Sequence, residues 1–425
     1  MKTSGKDKEF FTIAQVADIL GLSKETLRRW EASGKLIPER DEGNNYRLYS
    51  REQIETFEPA QQLFSSNWGE ELQTTPHKSY STVELFAGAG GLALGFEEAG
   101  LNTVLLNELD KHACATLKKN RPEWSVAEGD ISKIDFTHLR DEIDVLSGGF
   151  PCQAFSYAGK KAGFEDARGT LFFEFARAVK EINPKIIVAE NVRGLLKHDD
   201  GKTLETIKSI IDEIGYDILG CRVLKAVFYK VPQKRERLII VAVRKDLNQD
   251  LDFQWPSPFH RILTMKDALK EGELYNSNVP PSEGQKYPAY KQDVLSMVPP
   301  GGYWRDLPVE VQKDYMKGSF HLGGGKTGMA RRLSWDEPSL TLTCAPAQKQ
   351  TERCHPEETR PLTVREYARI QTFPDSWEFA GPLTAKYKQI GNAVPVNLAA
   401  AVGRSVVRLL NQIESADELP IAVGQ

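Results

Sequence analysis

The sequence predicts an α/β protein with three parts: a large domain built on a parallel sheet, a smaller irregular lobe, and an N-terminal winged helix-turn-helix. Three observations carry this. Between residues 80 and 255, short apolar runs end in glycine or a carboxylate and alternate with helical stretches, as in a parallel sheet with its chemistry at the strand ends. From Trp255 onward the chain is irregular and rich in Pro and Gly, as in Trp255-Pro256-Ser257-Pro258 and Pro299-Pro300-Gly301-Gly302. Ahead of both, two short helical patterns flank a glycine turn. The expected boundaries are 8–57 for the helix-turn-helix, 58–79 for a polar linker, 80–255 with 385–425 for the large domain, and 256–384 for the small lobe.

Composition is that of a globular protein, with 40% hydrophobic and 27% charged residues and a net charge of −4. Any nucleic-acid contact must therefore come from a local basic surface. No apolar run is expected to span a membrane, and Met1 to Asp7 lacks a signal-peptide core. The five cysteines, Cys114, Cys152, Cys221, Cys344 and Cys354, have no zinc-ligand spacing. They are expected as reduced thiols in a cytoplasm, with no metal.

In the N-terminal part, Ile13, Val16, Ala17 and Leu20 share a helical face, and Gly21-Leu22-Ser23 breaks the helix. Ser23 suits an N-cap for a second helix, Lys24 to Glu31, which carries Arg28 and Arg29. Leu36 to Tyr49 reads as a hairpin wing containing Arg47, and Ser50 caps a helix from Arg51 to Phe57. Ile13-Ala14-Gln15-Val16-Ala17, Ser23 to Trp30 and Asn45-Tyr46-Arg47-Leu48-Tyr49-Ser50 together resemble the winged helix-turn-helix of MerR-type regulators and excisionase-like domains. The resemblance implies DNA binding through Arg28, Arg29 and Arg47, and leaves open a dimer through this domain.

In the large domain, strand Thr82 to Phe86 runs into Ala87-Gly88-Ala89-Gly90-Gly91 and a helix from Leu92 to Ala99. Glycines there let a ligand approach the backbone at a helix N-terminus. The spacing is not that of dinucleotide dehydrogenases. The next strands end at Glu108, placed for a ribose diol, and at Asp130-Ile131, placed for an adenine amine. Strand Asp144 to Ser147 leads to Gly148-Gly149-Phe150-Pro151-Cys152-Gln153. Proline before Cys152 restrains the backbone that presents the thiol, and Phe155 to Arg168 reads as a basic loop. Strand Lys185 to Ala189 ends in Glu190-Asn191-Val192, and Gln233-Lys234-Arg235-Glu236-Arg237 precedes strand Leu238 to Val243.

With Arg360-Pro361-Leu362-Thr363-Val364-Arg365-Glu366 and Gln389-Ile390-Gly391-Asn392-Ala393-Val394-Pro395, these pieces stand in the order of the cytosine-C5 DNA methyltransferases, which the chain resembles from about residue 80 to 412. The resemblance implies an S-adenosylmethionine-dependent methyltransferase fold (Rossmann-like) with a target-recognition lobe. It implies Cys152 as the nucleophile at cytosine carbon 6, Glu190 at ring nitrogen 3 and the exocyclic amine, and Arg237 at the position-2 carbonyl with Arg235 nearby. The cofactor set it implies is Phe86, Gly88, Gly90, Gly91, Glu108, Asp130, Ile131, Pro151, Leu171, Asn392 and Val394.

Double-stranded DNA is the implied partner. Its contacts are expected at Ser156, Lys160, Arg331, Arg332, Thr341 and Arg360. A cognate restriction endonuclease is a further functional partner, and catalysis is expected from a monomer. Two other readings remain open from the residues: an RNA cytosine-C5 methyltransferase, and a catalytically dead DNA-binding regulator.

Overall fold

The computed structural model describes residues 9–151, 171–248, 250–323 and 326–417. Strand β1 (Phe10–Thr12) ends at Thr12, whose side chain forms a reciprocal cap with Gln15 at the start of α1 (Ile13–Leu20). Gly21 closes α1 at φ 69°, where glycine carries no Cβ cost. Ser23 caps α2 (Lys24–Ala32) by accepting from the Thr26 amide. Strands β2 (Glu39–Arg40) and β3 (Arg47–Ser50) complete a three-stranded sheet of order β1-β3-β2. Ser50 and Gln53 cap α3 (Arg51–Ile54), which stops short of the expected Phe57.

Residues 58–79 do not form the expected linker. They contain α4 (Glu58–Phe64) and α5 (Trp68–Glu71). Ala60 and Leu63 are buried. The Asn67 amide donates to Ser257 Oγ at 2.7 Å, and Glu71 accepts from the Ser257 amide at 2.9 Å and from Arg408 at 2.8 Å. These polar clamps act beside an apolar contact in which Ala60, Leu63, Phe64 and Trp68 join the main core.

The large domain carries β4 (Tyr80–Leu85), α6 (Gly91–Glu98), β5 (Leu101–Glu108), α7 (Lys111–Asn120), β6 (Ser125–Glu128), β7 (Val145–Gly148), α8 (Leu171–Ile182), β8 (Ile186–Val192), α9 (Lys202–Glu213), β9 (Tyr216–Lys225), β10 (Gln233–Lys234) and β11 (Glu236–Arg244). Its seven-stranded sheet has the order β6-β5-β4-β7-β8-β11-β9. Strands β4 to β8 pair in parallel, and β11 is antiparallel to both neighbours. Strands β7 and β8, covered on both faces, read as the continuous apolar runs expected of buried parallel strands. The order reverses between β5 and β7 on either side of β4, which opens a crevice at the carboxyl edge there.

Next come α10 (Met265–Leu269), α11 (Ala289–Ser296), α12 (Val309–Met316), β12 (Ser339–Leu340), α13 (Val364–Ile370), α14 (Leu383–Asn392) and α15 (Val396–Asp417). The small lobe has its own core of Tyr287, Leu295, Trp304, Tyr315, Met329 and Cys354. Tyr367, Phe373 and Trp377 instead pack with Leu117 and Trp124 of the large domain. The lobe is therefore narrower than 256–384. Parallel pairing of β10 with β12 joins the two parts.

The stretch Leu383–Ala416 is long and apolar enough to cross a membrane by length and composition, which the sequence reading did not foresee. Its apolar window is 83% buried inside the protein. Helix α15 lies so close to α6 that a side chain on Gly95 would overlap the Ala399 methyl. Burial thus accounts for its composition.

Candidate active site

Parallel pairing puts the carboxyl ends of β4, β5, β6, β7 and β8 on one edge of the sheet. At the end of β4, Phe86 sits half-buried at φ 59°, and Gly88 follows at φ 56° with open space where a Cβ would be. The Gly88 amide donates to Glu108 Oε2 at 2.7 Å, while Glu108 Oε1 accepts from the Leu109 and Asp110 amides at 2.9 and 2.7 Å. One carboxylate at the end of β5 thus organises both the glycine turn and the next helix start. Gly90 adopts φ 83°, and Gly91 leaves room for the Val394 carbonyl, which a Cβ would strike. Val394 is half-buried and Asn392 exposed, so α14 reaches the same edge from the far end of the chain.

Beyond β6, the exposed Asp130 accepts from the Ser132 amide at 3.0 Å and hydroxyl at 2.9 Å, and these bonds hold its carboxyl below the usual range. Ile131 is buried beside it, and Leu171 stands half-buried at the start of α8. An open glycine turn at a helix N-terminus, the buried Ile131 and carboxylates at or just after the ends of successive strands thus lie along this one edge.

Two strands away, Glu190 Oε1 lies 2.5 Å from Arg237 Nε, with both residues buried. They meet because β11 runs antiparallel to β8 with Arg237 opposite Val192. Burial pushes the Glu190 carboxyl above its usual range, against the pull of Arg237 and Arg235. Asn191 Nδ2 donates to the Phe150 carbonyl at 3.0 Å, which ties this strand to the segment entering the exposed Pro151. Cys152, Ser156, Lys160 and the rest of the Phe155–Arg168 loop lie outside the described residues.

Arg235 is 2% exposed and donates to the carbonyls of Gly391 at 2.9 Å and Leu342 at 3.3 Å. Burial depresses its guanidinium to about 9. It joins β10, the small lobe and α14 through these carbonyls while its charge still reaches Glu190. Arg332 also corrects the expectation of DNA contact. Its guanidinium is buried and donates to the carbonyls of Val298, Leu295 and His355 at 2.8, 2.8 and 3.1 Å and to Thr359 Oγ1 at 2.8 Å.

Arg331 is half-buried with Glu337 at 4.0 Å, and burial lowers its guanidinium. Thr341 donates to the Lys234 carbonyl. Arg360 is held by Glu366 at 2.8 Å and Glu358 at 2.9 Å. In the N-terminal domain Arg28 and Arg29 are exposed, with Arg28 paired to Glu25 at 3.1 Å, while Arg47 Nε lies 2.5 Å from Glu31.

Sequence reasoning missed the buried Glu84 in β4, whose Oε2 has no hydrogen-bond partner among the described residues and whose carboxyl burial drives well above its usual range. Inside an apolar strand a single glutamate gives no periodic signal. It quoted Gly149 and Asn191 within their motifs but gave neither a role of its own.

Comparison with known proteins agrees with this geometry. The family model of C-5 cytosine-specific DNA methylase matches residues 80–408, and that of the MerR HTH family regulatory protein matches residues 11–67. The Type II methyltransferase M.Eco47II of Escherichia coli is 71% identical over 96% of this chain and 97% of its own length. M.PspPI of Psychrobacter sp. (strain TA137), also a Type II methyltransferase, is 61% identical over 94% of this chain and 96% of its own. Among solved structures, a putative prophage-encoded DNA modification methyltransferase of E. coli superposes with a TM-score of 0.61 at 24% identity, covering 78% of this chain and all of that one, which bears on the fold alone. The chain therefore belongs to the C-5 cytosine-specific DNA methylases, S-adenosylmethionine-dependent enzymes acting on double-stranded DNA, and carries a MerR-like helix-turn-helix at its N-terminus.

Proposed function

We propose that this enzyme methylates carbon 5 of a cytosine flipped out of a specific duplex site, with Cys152 as nucleophile and with Glu190 and Arg237 holding the ring. The observation that carries the reading is the buried Glu190–Arg237 pair, on the same sheet edge as the open glycine turn and one strand from the segment that enters Pro151. Carbon 5 is too weak a nucleophile to accept a methyl group unaided. Thiolate addition at carbon 6 makes carbon 5 electron-rich, and covalent catalysis divides one hard step into easier ones. The ring must leave the stack to expose carbon 6.

A carboxyl whose proton affinity burial has raised suits donation to ring nitrogen 3 as the thiolate adds. Arg237, already paired with that carboxyl, is placed to donate to the position-2 carbonyl. The cofactor supplies the electrophilic methyl group. Phe86, the Gly88–Gly91 turn, Glu108, Asp130, Ile131, Leu171, Asn392 and Val394 would hold it. Loss of the carbon-5 proton and elimination of the Cys152 thiolate then restore the ring.

The relatives' label, Type II methyltransferase, supports a place beside a restriction endonuclease. The exposed Arg28 and Arg29 on α2 support binding of a second DNA site, with the N-terminal domain repressing the enzyme's own promoter. Bisulfite sequencing of DNA from a host expressing the chain tests the activity. Protected cytosines should recur in one sequence context and vanish in a Cys152→Ala strain. Scattered or absent protection contradicts the reading. Footprinting upstream of the coding region tests repression: protection must be lost when Arg28 and Arg29 are both changed to alanine.

A further inference from the structure

Gly149 stands between the end of β7 and Phe150, one strand from Glu190. Its φ is not in the left-handed region, so the backbone makes no demand for glycine there. Yet a Cβ built on it would lie 2.7 Å from Glu190 Oε2, closer than real Cβ contacts come. Its next neighbours, at 3.8 and 4.0 Å, are Glu190 Cδ and the Glu190 carbonyl oxygen. Among the described residues, and apart from its own chain neighbours, only Glu190 lies within 4 Å of where a Cβ at 149 would stand. The other carboxylate oxygen is engaged by Arg237 at 2.5 Å, and the Asn191 side chain donates to the Phe150 carbonyl at 3.0 Å. Strand β8 is paired with β7 on one side and β11 on the other, which limits its movement away from an overlap. Gly148 differs: a Cβ there would press on the Leu85 carbonyl and the Phe175 ring, so its smallness serves packing.

We propose that Gly149 is a positioning residue for the methyl-transfer reaction: its missing side chain is the seat of Glu190 Oε2, and it fixes the angle at which the carboxyl meets the cytosine edge. This rests on the reading of Glu190 as the group that holds the ring. A methyl group at 149 must turn the carboxyl off its seat or pull it from Arg237. The clash is with the far end of one side chain, so folding tolerates it while reaction geometry does not.

The test is a double-mutant cycle in the full chain, read by single-turnover methyl transfer on duplex DNA. Gly149→Ala should lower the rate about 10- to 100-fold, the scale of a misplaced catalytic group. The Michaelis constant for DNA, cofactor affinity and thermal midpoint should stay near those of the unmodified chain. In a Glu190→Ala background, where the space is empty, the same substitution should cost almost nothing, a non-additivity expected only of residues acting through one contact. If Gly149→Ala prevents folding, Glu190→Ala must restore it.

A Gly149→Ala enzyme with an unchanged rate, or with an equal loss in both backgrounds, overturns the proposal. So does a misfolded Gly149→Ala chain that Glu190→Ala does not rescue. Failure of the underlying reading looks different: Glu190→Ala alone would then leave the rate intact.

Discussion

Glu190 and Glu84 are both buried carboxyls, yet their surroundings assign them different work. Glu190 faces Arg237 at 2.5 Å on the reactive edge. Glu190→Gln should therefore slow single-turnover transfer roughly 100-fold, with cofactor titration unchanged; an unaltered rate contradicts the role. Among the described residues no cation offsets Glu84, and burial with the nearby Glu108 and Glu190 charges raises its carboxyl well above the usual range.

A folded-state value raised above the unfolded one favours the protonated form on folding. The stability Glu84 supplies is then complete below the unfolded value, near ~4.3, and is lost as pH climbs through the folded value. Glu84→Gln cannot titrate. Its thermal midpoint relative to the unmodified chain should rise as pH is taken from about 5 to 8. A constant difference across that range contradicts a buried, titrating Glu84. Glu190 was legible because it closes a strand in a recognisable Glu-Asn-Val run. Glu84 was not, because a residue that points inward from mid-strand differs from its apolar neighbours only in what surrounds it.

At the scale of elements, glycines and arginines decide how the pieces approach. Gly91 lets the Val394 carbonyl meet the first turn of α6. Gly91→Ala should cost about 1–3 kcal/mol by overpacking and weaken cofactor binding at the same time, which thermal unfolding and cofactor titration read separately. Arg332 fastens the end of α11 and the Val298 turn after it through the Leu295 and Val298 carbonyls, and the Glu357–Thr359 turn through the Glu357 carbonyl and the Thr359 hydroxyl. Arg332→Ala leaves buried acceptors unpaired, at about 3 kcal/mol or more, and should lower the thermal midpoint. Arg331→Ala should change DNA retention with little effect on unfolding. If both behave alike, the division between tie and contact is wrong.

The strand bearing Glu190 was readable because a parallel strand buried on both faces is a plain apolar run, while Glu108 and Asp130 were marked by their places at or just after the ends of partly exposed strands. Strand β9, half-buried along much of its length at the sheet edge, carries no such run and escaped. The adjacent arginines 331 and 332 look identical in sequence; only the fold gives Arg332 a set of buried oxygen acceptors and leaves Arg331 half-buried near Glu337.

Across the whole molecule, the N-terminal domain is not a tethered appendage. Val16, Leu20 and Leu27 share one apolar core with Leu224, Val227 and Phe228 of the large domain. Around that core, Lys234 pairs with Asp18 at 2.5 Å and lies 3.8 Å from Glu337, which also pairs with Lys24. Removing residues 1–57 should uncover Leu224, Val227 and Phe228, lower the thermal midpoint and promote self-association. A truncated chain that is monomeric and melts with the full one contradicts a shared core. The sequence showed both domains and their order, since each has its own periodic pattern. It did not show the docking, because Asp18, Lys234 and Glu337 are each unremarkable until the fold gathers them from three distant stretches.

The most direct measurement is to incubate the enzyme and its cofactor with duplex DNA carrying 5-fluorocytosine at the methylated position, and to map the adduct by peptide mass spectrometry. Fluorine at carbon 5 blocks the final elimination, so a stable bond from Cys152 to the ring is predicted, formed only with cofactor present and slowed by Glu190→Gln. A reactive enzyme that yields no adduct, or an adduct on any other side chain, contradicts the account.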